Sequence, residues 1–362
     1  MINEETNKIK VIVADDSALM RKLIPELLKT DTQIEVVATA MDGMFALKKI
    51  EQHRPDVITL DIMMPNMDGL TALRHIVSQF RIPVIIVSSL TQQGATITLE
   101  ALELGAVDFV AKPQSALPEQ LREMASELIE KIKAVARCQP RLRQQREFEP
   151  ILATTTELIE RKPIILDSRT AAQALICIGV STGGPEALAC LLPKLPARLA
   201  AGVMIVQHMP AGFTAQLAQR LNKRCELEVK EAADGDLVLP GRVLIAPGGR
   251  HMRVKRLPLA TTAVVVDGIP VSGHCPSVDV LFAAAATEFS ARAIGIILTG
   301  MGEDGVIGLG QIKQAGGLTI AQDQASSVIY GMPKAALARG YASEVLSLEQ
   351  MADYLVQKVG LL

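Results

Sequence analysis

The sequence predicts two α/β domains in tandem, each a mostly parallel sheet covered by helices. Three observations carry this. Short apolar runs alternate with segments of helical spacing over 9–137, and the alternation restarts at 174. Between them the pattern lapses: 139–149 reads QPRLRQQREFE, charged and without an apolar stripe, and 153–166 adds a threonine run and a proline. The chain of 362 residues is long for one domain and comfortable for two. The expected division is a first domain over 1–137, a linker over 138–170 and a second domain over 171–362.

In the first half, IKVIVA at 9–14 is an apolar run and reads as a strand, and 20–28 has helical spacing. Strands are expected at 35–40 and 57–60 with a helix at 43–52 between them, then strands at 83–87 and 106–110. A long amphipathic helix is expected over 118–137. Strand-helix alternation of this kind buries a parallel sheet on both faces, the doubly wound, flavodoxin-like arrangement. In the second half, strands are expected at 174–180, 203–207, 226–230, 243–246, 262–266, 293–298 and 318–321. Helices are expected at 185–192, 212–221, 277–289, 305–315 and 333–338, and the strand-rich stretch 227–266 suggests a hairpin excursion.

Composition narrows the function classes. Hydrophobic residues make up 49% and charged residues 21%, a balance suited to cored domains, with aliphatic cores because aromatics are only 3% and Trp is absent. The formal net charge of -2 gives no basic field for nucleic acid or anionic membrane. No apolar run reaches the roughly 18 residues a bilayer requires, and the polar first ten residues are unlike a signal peptide. Cys138, Cys177, Cys190, Cys225 and Cys275 form no CxxC pair, so reduced thiols and a cytoplasmic setting are expected, with Cys177 in the core.

Chemistry-bearing residues gather at the carboxyl ends of strands, where open α/β sheets bind ligands. The first strand runs into Asp15 and Asp16, the third into Asp61, the fourth into Ser88, and the fifth leads to Lys112. Alone, an aspartate at a strand end is a cap or turn former and a lysine a solvated charge. As an ordered set, three carboxylates with a hydroxyl and a lysine offer hard oxygen ligands of the kind Mg²⁺ takes. The set resembles the receiver domain of two-component signalling over about 110 residues. That resemblance implies Asp61 as phosphate acceptor, Asp15, Asp16 and Asp61 as the Mg²⁺ site, Ser88 and Lys112 as partners of the phosphoryl group, and Phe109 as the aromatic switch position. It also implies a histidine kinase as phosphodonor.

In the second half, the strand ALICIGV enters Ser181-Thr182-Gly183-Gly184-Pro185, and 179–183 fits G-x-S-x-G. That pattern exposes a serine hydroxyl on a tight strand-to-helix turn, although a serine that merely caps a helix would look the same. A nucleophile needs a base. His53 and His75 lie in the first half and read as surface residues. His208 closes a strand at the same edge as Ser181, while His251 and His274 stay open as alternatives. Asp304 lies in the glycine-rich turn after the strand 293–298. The order Ser181, His208, Asp304 differs from the Ser-Asp-His order of α/β-hydrolases. A dinucleotide site fits poorly: G-x-G-x-x-G is not matched, and the strand 203–207 ends in Gln207-His208 rather than an acid. A receiver fused to a noncatalytic binding module remains the other reading.

The segments GVSTGGPEAL, QHMPAGFTAQLAQRL, HCPSVDVLF, ILTGMGEDGVIGL and AQDQASSVIYGMPKAA, in this order, resemble the catalytic domain of chemotaxis protein-glutamate methylesterases. The resemblance implies Ser181 as nucleophile, His208 as base, Asp304 as orienting acid and the Met301 N–H in the oxyanion hole. Val180 stands where Ala is common. It further implies a phosphorylation-activated hydrolase of glutamyl methyl esters on chemoreceptor cytoplasmic domains, able also to deamidate glutamine. Mg²⁺ is expected in the receiver alone, with no cofactor in the catalytic domain, no nucleic-acid partner, no membrane insertion and a monomeric chain.

Overall fold

The structure is a computed structural model that describes residues 8–89, 91–113, 117–145 and 174–362. The chain divides into two compact units, Met1–Leu152 and Ala153–Leu362. The predicted linker falls mostly on 146–173, outside the described residues.

The first unit runs β1 (Ile9–Ala14), α1 (Ala18–Leu28), β2 (Ile34–Ala40), α2 (Gly43–His53), β3 (Val57–Leu60), α3 (Gly69–His75), β4 (Val84–Ser89), α4 (Gln92–Glu103), β5 (Asp108–Lys112) and α5 (Pro118–Gln145). Its sheet has the order β2-β1-β3-β4-β5, and every pairing is parallel. The central strands are buried on both faces, which is why they read as unbroken apolar runs: all four residues of β3 are buried. The order reverses between β1 and β3, so the crevice at their carboxyl ends is the natural ligand site. Ala14 pairs with Leu60, which sets Asp15 and Asp61 side by side just beyond the sheet.

Each early helix starts on a side-chain cap. Ser17, Asp42, Asp68 and Thr91 accept from Met20, Phe45, Thr71 and Gly94 N–H respectively. Helices α3 and α4 are absent from the sequence reading. The former is seven residues long, and the latter, QQGATITLEALE, mixes Gly and β-branched residues that weaken a helical signal. Strand β5 sits two residues later than expected, because pairing to β4 sets the register Ile85 to Asp108 through Ser89 to Lys112. Helix α5 crosses the expected boundary at 137 and ends at Gln145. The segment QPRLRQQ lacks an apolar stripe but contains Arg, Leu and Gln, which propagate a helix well.

The second unit runs β6 (Ala174–Val180), α6 (Gly184–Leu191), β7 (Ala201–Gln207), α7 (Phe213–Arg224), β8 (Glu228–Glu231), β9 (Arg242–Ile245), β10 (His251–Arg256), β11 (Thr261–Val266), α8 (Val278–Phe289), β12 (Ala293–Ile297), α9 (Val306–Gln314), β13 (Leu318–Gln322), α10 (Met332–Ala338), β14 (Glu344–Leu346) and α11 (Leu348–Val359). Seven strands form a parallel sheet in the order β14-β13-β12-β6-β7-β9-β8. The expected hairpin excursion is the antiparallel pair β10 and β11. Strand β10 escaped the sequence reading because HMRVKR exposes its basic residues. Strand β14, three largely exposed residues at the sheet edge, and α11, held by a capping box of Ser347 and Gln350, were also not expected.

The chain leaves β6 toward β7 on one side and returns to β12 on the other, so the switch point lies between β6 and β12. Val180 pairs with Gln207, which places Ser181 and His208 at adjacent strand ends. Leu175, Cys177, Met204, Phe282 and Phe289 lie fully or almost fully buried in the core. Burial pushes the Cys177 thiol far above its ordinary value, so it is an inert core residue. Cys190, Cys225 and Cys275 likewise form no disulfide among the described residues. No described helix is long and apolar enough to cross a membrane.

Candidate functional sites: a strand-end carboxylate pocket and a serine-histidine-aspartate cluster

In the first unit, Asp15 and Asp61 are buried and Asp16 is exposed, and one ligand oxygen from each lies within 4.8 Å of the others. Lys112 Nζ hydrogen bonds Asp61 Oδ2 at 2.7 Å and lies 2.8 Å from Asp15 Oδ2. Asp61 Oδ1 accepts the Ile62 N–H, and Asp15 Oδ1 accepts the Ser17 N–H. Asp15 Oδ2 is buried, with the Lys112 ammonium 2.8 Å away. Burial first, and the nearby Asp15 charge as well, raise the Asp61 pKa despite the hydrogen bond and charge of Lys112. Burial also opposes the charge on Lys112, but hydrogen bonds and attraction to Asp15 and Asp61 outweigh it and hold that pKa high.

Asp16, Asp61 and Lys112 line a cavity of about 190 Å³ together with Ser88, Ser89 and Gly94, and Asp15 sits behind them against Lys112. Three convergent carboxylates, two of them buried, fit a small hard cation such as Mg²⁺. Ser88 is buried at the cavity wall, and Phe109 is buried on β5 beneath the Lys131 ammonium, which lies 5.5 Å from its ring centroid. Thus all the receiver residues named from the sequence except Phe109 meet at one strand-end pocket.

In the second unit, Gly183 at φ 76° makes the turn after Ser181 left-handed, and α6 begins at once. The Ser181 N–H donates to the carbonyl of Thr299, two residues beyond the end of β12. Gly300 packs directly on the turn of Ser181: a Cβ there would lie 2.8 Å from Ser181 Cβ. The following Met301 N–H donates to no described residue, so it is free to meet a ligand. His208 Nε2 lies 2.8 Å from Asp304 Oδ2. Its Nδ1 is buried without a partner, so no hydrogen bond joins the ring to Ser181. Against an ionised carboxylate Nε2 carries the ring proton, and Nδ1 is the nitrogen able to accept one. This reverses the usual Ser-His-Asp usage, in which the acid takes Nδ1.

Asp304 is held by four donors. Ser277 Oγ and the Asp279 N–H reach Oδ1 at 2.7 and 3.1 Å, and the Val278 N–H and His208 reach Oδ2 at 2.7 and 2.8 Å. Three of these come from the N-terminus of α8, where a negative charge is favoured. Burial alone would raise the Asp304 pKa, but His208, Val278 and Ser277 hold it below the ordinary carboxylate value. The neighbouring Asp279 is pushed up, by burial first and by the Asp304 charge as well. Val278 reaches this position because Gly179 and Gly305 leave room for it: a Cβ on either would meet its side chain at 2.2 or 2.4 Å.

The other histidines are accounted for. His251 is 3% exposed, with Nε2 donating to Ile269 O and Nδ1 accepting the Ser277 N–H, so both ring nitrogens are occupied. His274 stacks on His208, centroids 3.8 Å apart and planes 10° from parallel. His53 and His75 are half-buried near helix ends rather than fully exposed. Sequence reasoning did not find Ser277, Gln207 or the His274 stack. HCPSVDVLF named the segment that holds Ser277 and His274, but the partners lie far along the chain.

Comparison with known proteins adds to this geometry. Residues 176–355 match the CheB methylesterase family, and residues 11–126 match the response regulator receiver domain. The protein-glutamate methylesterase/protein-glutamine glutaminase 2 of Koribacter versatilis is 51% identical, covering 97% of this chain and 96% of its own. The counterpart of the group 3 operon of Rhodopseudomonas palustris is 48% identical, covering 95% and 94%. The crystal structure of the Thermotoga maritima CheB methylesterase catalytic domain is 40% identical with a TM-score of 0.51, covering 51% of this chain and 98% of that domain.

Proposed function

This chain belongs to the protein-glutamate methylesterase/protein-glutamine glutaminase family, and from that premise we propose that it hydrolyses γ-glutamyl methyl esters on chemoreceptor cytoplasmic domains through Ser181, His208 and Asp304. The observation that carries the reading is the His208–Asp304 pair, closed by four donors on the carboxylate, at the strand edge where Ser181 turns into α6.

Ser181 Oγ attacks the ester carbonyl while His208 takes its proton at Nδ1. Asp304 stays ionised, fixes the ring and stabilises the imidazolium. The Met301 N–H donates to the oxyanion; removing one such donor typically costs about 100- to 1000-fold in rate. The carbonyl–methoxy bond then breaks, His208 returns the proton, and methanol leaves. Water, deprotonated by His208, cleaves the acyl-enzyme and restores glutamate and the serine hydroxyl. The same steps on a glutamine side chain release ammonia, so deamidation belongs to the same site.

The first unit is the switch. The Asp61 carboxylate accepts a phosphoryl group from a histidine kinase, breaking the donor's N–P bond. Asp15, Asp16 and Asp61 would hold Mg²⁺, which when bound would supply positive charge beside the phosphoryl group. Lys112, already paired with Asp61, keeps its charge beside the new phosphate, and Ser88 offers a hydroxyl from the cavity wall. Phe109 registers the rearrangement on β5. Phosphorylation raises hydrolysis, and the reading places the chain in the cytoplasm as a monomer, without nucleic acid.

Methanol release from methylated receptor fragments tests this. Wild type should release methanol and Ser181→Ala should fall to background. Release undiminished in a folded Ser181→Ala protein would refute the serine mechanism.

A further inference from the structure

We infer that Gln207 is a positioning residue that locks the turn of the nucleophile to the turn of the base. The inference rests on the hydrolase reading above. Gln207 is the last residue of β7 and is 2% exposed. Its Nε2 donates to the Ser181 carbonyl at 2.9 Å and to the His208 carbonyl at 3.2 Å. One side chain therefore joins the main chains of the two residues that must exchange a proton.

Two features argue that the amide is selected for this bridge rather than for filling space. Its Oε1 is buried with no hydrogen-bond partner, a penalty that a Met or Leu of similar size would avoid. Of the two ends of the amide only the NH₂ can donate to the two carbonyls, so the amide must face this way and leave the oxygen orphaned. The chain also makes room for it: a Cβ on Gly184 would stand 2.0 Å from Oε1.

The bridge reaches the reacting atoms through the peptide plane. The Ser181 carbonyl accepts the Gly184 N–H at 2.8 Å as well as Gln207, so both acceptor directions are used. That carbonyl shares a planar peptide with the Thr182 N–H, so fixing one direction fixes the other. The N–H after a nucleophilic serine is a usual oxyanion donor. Gln207 thus sets the direction of this N–H and the spacing of Ser181 from His208, both felt most in the transition state. A misplacement of about 1 Å can cost about 100-fold.

The test compares the full-length wild type with Q207M, which keeps the volume and removes both donors, and Q207E, which offers at most one. Methanol release is measured across substrate concentration and pH, with competent sites counted by a serine-directed fluorophosphonate. We expect kcat per titrated site to fall about 10- to 100-fold in Q207M, with Q207E between it and wild type. KM should stay within about twofold and the acid limb of the pH profile should not move. A loss confined to the number of titratable sites would show structural support only and overturn the inference. So would a change in KM alone, or Q207M turnover per site equal to wild type. If Q207M fails to fold, Q207E alone decides by the same comparison. Ser181→Ala runs in parallel: activity surviving there sinks the hydrolase reading, whereas its loss beside an unaffected Q207M sinks only the bridge.

Discussion

The carboxylate of Asp304 shows how little of a residue's role resides in the residue. Its charge survives burial because α8 presents two N–H groups and a serine hydroxyl to it, and because His208 closes the set. Asp304→Asn should therefore fold yet lower kcat by about 1000- to 10000-fold, since the amide can hold the ring in the wrong tautomer. The folded pKa of Asp304 lies below its unfolded value. Its contribution to stability is then present in full above about pH 4 and is lost as pH falls through the folded value. In urea titrations of the second unit, the gap between wild type and Asp304→Asn should be open at pH 6 and close below about pH 4. A gap independent of pH would mean that the charge does not stabilise the fold. Single residues were legible at strand ends: Asp15, Asp16, Asp61, Ser181 and His208 follow their strands, and Ser88 is the next-to-last residue of β4. The choice among His208, His251 and His274 was not, because it depends on which ring meets Asp304, 96 residues from His208. Gln207 and Ser277 looked like ordinary polar residues, since their partners are 26 and 27 residues away.

Elements place these side chains by how closely they approach. Helix α8 brings its N-terminus over β6 because Gly179 lacks a Cβ, and Gly305 clears the same Val278 side chain from the other side. In Gly179→Ala the new methyl would stand 2.2 Å from Val278 Cγ1 in a strand buried from Leu175 onward. Overpacking of this kind costs about 1–3 kcal/mol. The helix start must also retreat, which lengthens the Val278 N–H bond to Asp304. The expected result is a lower urea midpoint together with reduced kcat in the protein that remains folded, and Val278→Ala added to it should recover part of both. Full stability and activity in Gly179→Ala would show that α8 has slack at this contact. Element type and order were largely legible from periodicity, as in the β3 and β6 bounds, which match the expected ones. Short elements stabilised by caps or sheet edges, such as α3 and β14, carry too few residues for a periodic signal.

At the scale of the whole chain, the two strand-end sites obey one rule: each sits where the strand order reverses, β1 against β3 and β6 against β12. That rule, with the break in periodicity after 137, made the two-part organisation legible, while the run of α5 to Gln145 was hidden because helix propensity there outlasts the apolar stripe. The functional link between the parts is a free-energy statement. Phosphorylating Asp61 can raise hydrolysis only by as much as the phosphorylated receiver favours the active state over the resting one. Asp61→Ala removes the proposed acceptor without touching Ser181, His208 or Asp304. Its methanol release without phosphodonor should equal that of wild type, and small phosphodonors with Mg²⁺ should stimulate wild type alone. Chelating Mg²⁺ should abolish stimulation in wild type and leave basal release unchanged in both, because the three carboxylates that suit the ion lie in the first unit. Stimulation that persists in Asp61→Ala would move the phosphoacceptor elsewhere. Basal release that falls on chelation would instead place a metal requirement in the hydrolytic step itself.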